Sequence, residues 1–173
     1  MRKFLGKAHD NVINNNLGRS EGAISRVNQG SQVLPFVNTD VANMTFGKVI
    51  VADSANEGGA LIPSSSGDNG QMVVAQETRQ AIDVSGTVAI QPGQAGSAVK
   101  LGFVIVKCVY GSPAPKGQVY YRYALGNTGS ATRAVGTIEA AAVSNEVIAL
   151  PGAFFEGFAD ASGLVEISLN SPA

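Results

Sequence analysis

The chain has 173 residues, with 12 Lys and Arg against 13 Asp and Glu, a formal net charge of −1, one His, one Cys and no Trp. That length fits one domain with a substantial core, and the charge balance excludes a broadly basic nucleic-acid-binding surface. A single Cys excludes internal disulfides and thiolate metal clusters, and a single imidazole leaves no His-based acid–base pair or His-rich zinc site.

Only 14% of the residues are charged, against roughly a quarter in a typical soluble domain. The surface must therefore rest on Ser, Thr, Asn, Gln and Gly, and weak self-repulsion favours association. Two readings fit this composition: a neutral secreted-type β-protein, or a chain that works assembled, with much of its surface covered by neighbours.

In chain order, residues 1–20 read as an extended N-terminal arm and residues 21–173 as a β-rich body. Asn14, Asn15, Asn16 and Gly18 disfavour helix and strand alike, whereas Phe4, Leu5, Val12, Ile13 and Leu17 are apolar enough to dock on a partner. Arg2 and Lys3 open the chain like a signal peptide, but Gly6, Lys7, His9 and Asp10 interrupt any apolar segment. No run approaches the ~20 apolar residues of a membrane span. The expectation is a soluble protein made in a cytoplasm.

Strands are expected at residues 22–27 (GAISRV), 32–37 (QVLPFV) and 46–52 (FGKVIVA). Residues 53–70, dense in Ser, Gly, Asn and Asp, read as a long surface loop interrupted only at Leu61 and Ile62. Residues 71–76 (QMVVAQ) resume the sheet. From 80 to 91, Ile82, Val84, Val88 and Ile90 alternate with polar residues, the period of a strand with one wet face.

The nearly continuous apolar run 99–110 suits a strand covered on both faces, with Cys108 a buried, inert thiol. Pro113 and Pro115 between Gly111 and Gly117 make a rigid turn. The spacing thus predicts a hairpin of 99–110 with 118–125, placing Val119, Tyr121, Tyr123 and Leu125 on one side. Residues 126–130 (GNTGS) read as another turn. Residues 137–143 (TIEAAAV) are the one candidate helix, although Val135, Thr137 and Ile138 favour extended chain. Val165, Ile167 and Leu169 restore the strand alternation at the end. The fold class expected is mainly β: a compact antiparallel β-barrel or β-sandwich with an extended N-terminal arm and at most one short helix.

Chemistry finds little equipment. Asp83, Glu139, Glu146, Glu156, Asp160 and Glu166 are scattered without a glycosidase-like spacing and read as solvated surface. The Gly-rich stretches lack the Lys-Ser/Thr ending of a phosphate loop, and Asp68 with Asn69 offers too few oxygens for Ca²⁺. No catalytic residue, metal or cofactor is expected.

Two regions nevertheless carry a family resemblance. The first is residues 22–40 (GAISRVNQGSQVLPFVNTD); the second is residues 149–170 (ALPGAFFEGFADASGLVEISLN), preceded by 117–129 (GQVYYRYALGNTG). The order of Ile24-Ser25-Arg26, Gly117 to Tyr120, Pro151 to Phe154 and Gly163 to Leu169 resembles the structural cement, or head decoration, proteins of tailed bacteriophages. The chain departs from that pattern in the polar stretch 53–70 and in the length of the strand 99–110.

The resemblance implies a protein made in the host cytoplasm and bound in the virion to the outer surface of an expanded icosahedral head. Its partners would be the major capsid protein and its own copies, with a trimer favoured and a dimer possible; neither nucleic acid nor membrane is implied. Candidate contacts are Arg2, Lys3, Lys7, Arg19 and Arg26 against acidic shell, and Phe4 on the arm. Tyr120 and Tyr121 point to opposite faces of their strand, so one is expected outside the core. Of Phe154, Phe155 and Phe158, two are expected in the core and at least one as an interfacial anchor. The alternative is a carbohydrate- or receptor-binding β-module of a phage tail or baseplate, against which the absence of Trp counts.

Overall fold

A computed structural model of the protein describes residues 20–26, 30–68, 71–76, 88–125 and 133–170. The arm residues 1–19, most of the alternating segment 80–91 and the turn 126–130 lie outside the described residues. The rest is built of strands: β1 (Ile24–Arg26), β2 (Gln32–Asn38), β3 (Val49–Ala52), β4 (Gly59–Leu61), β5 (Met72–Val74), β6 (Ala95–Tyr110), β7 (Gln118–Arg122), β8 (Ile138–Glu139), β9 (Val147–Phe155) and β10 (Leu164–Leu169).

The long β6 organises everything else. Its first part pairs with β2 on one side and β5 on the other, and β2–β4, β4–β3 and β3–β5 pairings complete a closed circuit. Its second part pairs with β10, then β8, and β10–β9, β9–β7 and β7–β8 close a second circuit. β1 adds to β6 at Val104 and Phe103. β6 changes partners around Gly102, whose φ of 129° is open to glycine but strained for other residues. A Cβ there would also sit 3.0 Å from Ser31 Oγ.

Most ladders are antiparallel, but β2–β4 and β6–β8 are parallel, so the sheet is mixed. The apolar runs of β3 and β5 follow from the arrangement. Ile50, Met72, Val74 and Ala98 pack with Phe36, Met44, Ala60 and Ile90 inside the first circuit. Val49, Val73 and Val99 face the other way, into the larger core with Val104, Val106, Val119, Tyr121, Ile138, Phe155 and Ile167. Strands covered on both faces lose the alternation that one-sided burial imposes.

Several expectations are corrected. The 99–110 and 118–125 strands do not form a hairpin: β8 lies between them, parallel to β6 through Cys108↔Ile138 and antiparallel to β7 through Tyr121↔Ile138. The same residues therefore contain no helix; 137–143 supply β8 and a bend, as the β-branched Thr137 and Ile138 favour. The stretch 53–70 is not one loop, because β4 runs through it and buries Ala60 completely. Leu125 is 61% exposed, outside the row formed by Val119 and Tyr121.

Candidate interaction surface

The outer side of the second circuit is set by strand alternation. In β9, Ala153 and Phe155 turn inward with 0% and 1% exposure, which leaves Phe154 outward at 40%. The strand bulges just before this point, between the Gln118↔Phe154 and Tyr120↔Ala149 pairs. The Gln118 amide fills the bulge, with Nε2 3.1 Å from Leu150 O and 3.3 Å from Ala153 O. The ladder then aligns Phe154 with Ser168 of β10, Ser168 with Phe103 of β6, and Phe103 with Arg26 of β1.

At the far end of that row the Arg26 guanidinium lies 4.0 Å over the Phe103 ring, an arrangement in which the cation meets the negative ring face. Arg26 also donates to Glu166 through Nε at 3.0 Å and Nη2 at 2.6 Å, and reaches Glu156 at 3.5 Å. The Ser25 hydroxyl donates to the same Glu166 carboxylate. Hydrogen bonding to Glu166 raises the Arg26 pKa further, against a smaller downward pull from burial.

Between β9 and β10 the chain presents Phe158 at 73% exposure. This connection is tied down rather than loose. Asp160 Oδ1 accepts from Ser162 N–H at 2.8 Å and Leu164 N–H at 3.0 Å, Glu156 N–H donates to Glu166 O at 2.9 Å, and Ala159 packs on the core. An exposed aromatic on a fixed support loses little entropy when a partner covers it.

A second ionic group is internal. Arg122 and Glu139 are both fully buried and joined at 2.6 Å. Glu146 accepts from Arg122 at 2.7 Å, and Arg133 reaches Glu139 at 3.2 Å while lying 4.0 Å over the Tyr110 ring. Burial pulls the Arg122 pKa down, but the bonds and charges of Glu139 and Glu146 outweigh it and the net shift is upward. Sequence reasoning read these carboxylates as solvated surface. The available signal was Glu139 set between Ile138 and Ala140, in an apolar stretch where a free charge would be costly.

The candidate residues thus divide. Arg26, Phe154 and Phe158 lie exposed on the second circuit and its β1 flank. Tyr120 is half-buried. Tyr121 and Phe155 are core residues at 0% and 1% exposure and offer nothing to a partner; one phenylalanine of the three is in the core rather than two. Arg2, Lys3, Phe4, Lys7 and Arg19 lie outside the described residues.

Other groups are occupied locally. The Asp68 carboxylate accepts from the Ser64 and Ser65 N–H groups at 2.7 and 3.0 Å and from the Ser65 hydroxyl at 2.9 Å, shaping its own turn. Cys108 is half-buried rather than buried, and burial pushes its thiol pKa up, away from reactivity.

The described residues form a β-body without helix that carries exposed aromatics on a pinned surface. The family model of the XM1 gp53 minor capsid protein matches residues 9–169. The chain belongs to that family, and so to the capsid-associated proteins of bacteriophages. A chain from the solved structure "The capsid of Myoviridae Phage XM1" has the same fold, with a TM-score of 0.64 at 13% identity over 89% of this chain and 91% of that one. No relative is found among the curated proteins.

Proposed function

We propose that this chain is a cement protein of the phage head. It binds the outer surface of the expanded shell, contacts the major capsid protein and its own copies, as a trimer or a dimer, and performs no chemistry. The observation that carries this reading is the outward Phe154 in one ladder row with the Arg26–Phe103 end and its Glu166 ion pair, together with Phe158 exposed on the tied-down β9–β10 connection. Four of its carboxylates are held in ion pairs, Glu139 and Glu146 with Arg122 and Glu156 and Glu166 with Arg26. A net charge of −1 gives no reason for nucleic acid as a partner. Many modest contacts repeated over a closed lattice add up through avidity.

Two measurements test the reading. The ratio of this chain to the major capsid protein in purified virions is expected to be near-stoichiometric; a handful of copies would place it at the tail or portal instead. Phe154→Ser with Phe158→Ser in the full chain is expected to weaken binding to empty expanded shells by about tenfold or more, the loss of one hot-spot residue or more. The double variant should still unfold cooperatively, with a loss of about 1–3 kcal/mol that comes mainly from Phe154, 40% exposed, since Phe158 is 73% exposed. Undiminished shell binding by a folded double variant would overturn the assignment of this face.

A further inference from the structure

β3, β4 and the turn after β4 enclose a cleft of about 470 Å³ on the first circuit, within the roughly 300–1,000 Å³ of ligand-sized clefts. Val51 and Ala52 of β3, with Leu61 and Ile62 at the end of β4, give it apolar walls; Ser54 and Asp68 stand at its mouth with the turn. The rim is acidic. Asp68 belongs to the lining, Asp40 Oδ2 accepts from the Ile62 N–H in the wall at 3.0 Å, and Asp53 lies between Ala52 and Ser54.

Every donor to these three carboxylates is uncharged. Asp40 also takes the Ala42 N–H, Asp53 takes the Asn56 amide, the Thr39 hydroxyl and the Ala55 N–H, and Asp68 takes the Ser64 and Ser65 groups of its own turn. The Asn56 and Thr39 bonds hold the Asp53 carboxyl below the ordinary 3.8, so it is ionised at neutral pH. Among the described residues none of the three is in an ion pair. From Val49 through Gln76 the sequence holds Asp53, Glu57 and Asp68 and neither Lys nor Arg.

The complement of this cleft is in the same chain. Residues 2–7 (RKFLGK) set Phe4 and Leu5 between Arg2, Lys3 and Lys7, the inverse of apolar walls inside an acidic rim. The point from which this segment departs is fixed: Ser20 donates to Gln76, and Gly22 N–H donates to Ile105 O at 2.8 Å, next to Phe46 and Gly47. From Gly47 to Ala52 along β3 is about 17 Å at the rise of a strand, whereas the chain from Lys7 to Ser20 spans up to roughly 45 Å. A tether of that length gives the chain's own cleft an effective concentration near millimolar, above that of any second copy in dilute solution.

We propose that the cleft between β3 and β4 seats the chain's own N-terminal segment, with Phe4 and Leu5 between the walls and Arg2, Lys3 and Lys7 against Asp40, Asp53 and Asp68 at the rim. Any acidic shell surface that engages these cations must then compete with the cleft. The contact is separate from the Phe154 face, and its failure would leave that face untouched.

The test uses the full chain without shells, in a Cys108→Ser background at about 1 µM, where a tethered contact outruns association between copies. Gly6→Cys with Ser54→Cys sets one thiol between Leu5 and Lys7 and the other at the cleft; Ser54 is exposed, so the reduced protein should unfold at the parent's midpoint. On mild oxidation the disulfide should close within one chain about tenfold or more faster than in Gly6→Cys with Ser112→Cys. Ser112 is also exposed, on the second circuit, as many residues beyond Ile105 as Ser54 is beyond Gly47. Ser64→Cys in place of Ser54→Cys repeats the measurement elsewhere in the lining. The lead should shrink several-fold in about 1 M salt, where the Debye length is about 3 Å, and in the added triple change Arg2→Gln, Lys3→Gln and Lys7→Gln. Closure no faster at the cleft than at Ser112 would leave the cleft without this occupant. A disulfide-linked dimer as the main product would hand it to another copy, and a lead unmoved by salt and by the triple change would remove charge from the recognition; each result overturns the proposal.

Discussion

Glu139→Gln offers the sharpest perturbation of the fold. Glu139 Oε1 accepts from Arg122 Nε at 2.6 Å and Oε2 from Arg133 Nη1 at 3.2 Å, and the Arg122 and Glu139 side chains are both sealed from solvent. Glutamine keeps the shape but removes the charge and turns an NH₂ group toward one guanidinium. Arg122 would retain Glu146, at 2.7 Å, as its one carboxylate, while its Nη2 is already buried without a partner. Breaking a buried ion pair from one side costs about 3–5 kcal/mol. Glu146 and Arg133 are 12% and 10% exposed, which lets water relax part of the strain, so a value near ~3 kcal/mol is expected. For a chain of this size that corresponds to a fall in Tm of about 6–12 °C. Urea unfolding should show the midpoint drop with the slope unchanged. A loss under ~1 kcal/mol would refute the reasoning, since it would mean that the uncompensated guanidinium finds solvent or another partner easily. Replacing both members, as Arg122→Met with Glu139→Leu, should cost less than the single change, because no buried charge of that pair is left behind.

Two further perturbations probe local geometry. Gly22 has φ of 83°, and a Cβ there would meet Phe46 Cβ at 2.7 Å and Val74 O at 2.9 Å; Gly22→Ala should destabilise by about 2 kcal/mol or more, and a loss below half of that in urea unfolding would show that the joint between β1 and β5 yields. For Asp68, burial pushes the carboxyl pKa up, but the Ser64 and Ser65 N–H groups and the Ser65 hydroxyl outweigh it and hold it below the ordinary 3.8. A depressed carboxylate stabilises the fold above its unfolded pKa and loses that contribution as pH falls through the folded value. Asp68→Asn should therefore be less stable than the parent at neutral pH, with the gap closing in acid below 3.8; a gap equal at both pH values would assign the loss to turn geometry instead of charge.

Local pattern made some of this fold readable. The alternation of Val165, Ile167 and Leu169 gave β10, and all three are buried. The unbroken Val49–Val51 and Met72–Val74 runs gave β3 and β5, whose two-sided burial reflects two cores that only pairing reveals. The β8 insertion was invisible because two residues carry no periodicity, and a rigid turn at Pro113 and Pro115 does not disclose that the strands it joins are held apart. At the candidate surface, the Phe154-Phe155 pair contained its own answer: adjacent residues of a strand face opposite ways, so one ring must be inside. The Arg26–Glu166 and Arg122–Glu139 pairs join residues remote in sequence, and single-residue chemistry gives no hint of such partnerships. Pro35 inside an otherwise good strand was a legible mark that β4 pairs with β2 only at Val37 and Asn38.

The passage of β6 through both circuits has a mechanical meaning. Force applied to the Phe103–Phe154 face and force applied to β2 are both delivered to one continuous backbone, from Ala95 to Tyr110, with no linker between them. Pulling the two surfaces apart must therefore shear whole ladders of hydrogen bonds in parallel instead of opening a hinge. Between the two circuits the main chain runs unbroken along β6, so one cannot be drawn from the other by straightening a connecting segment.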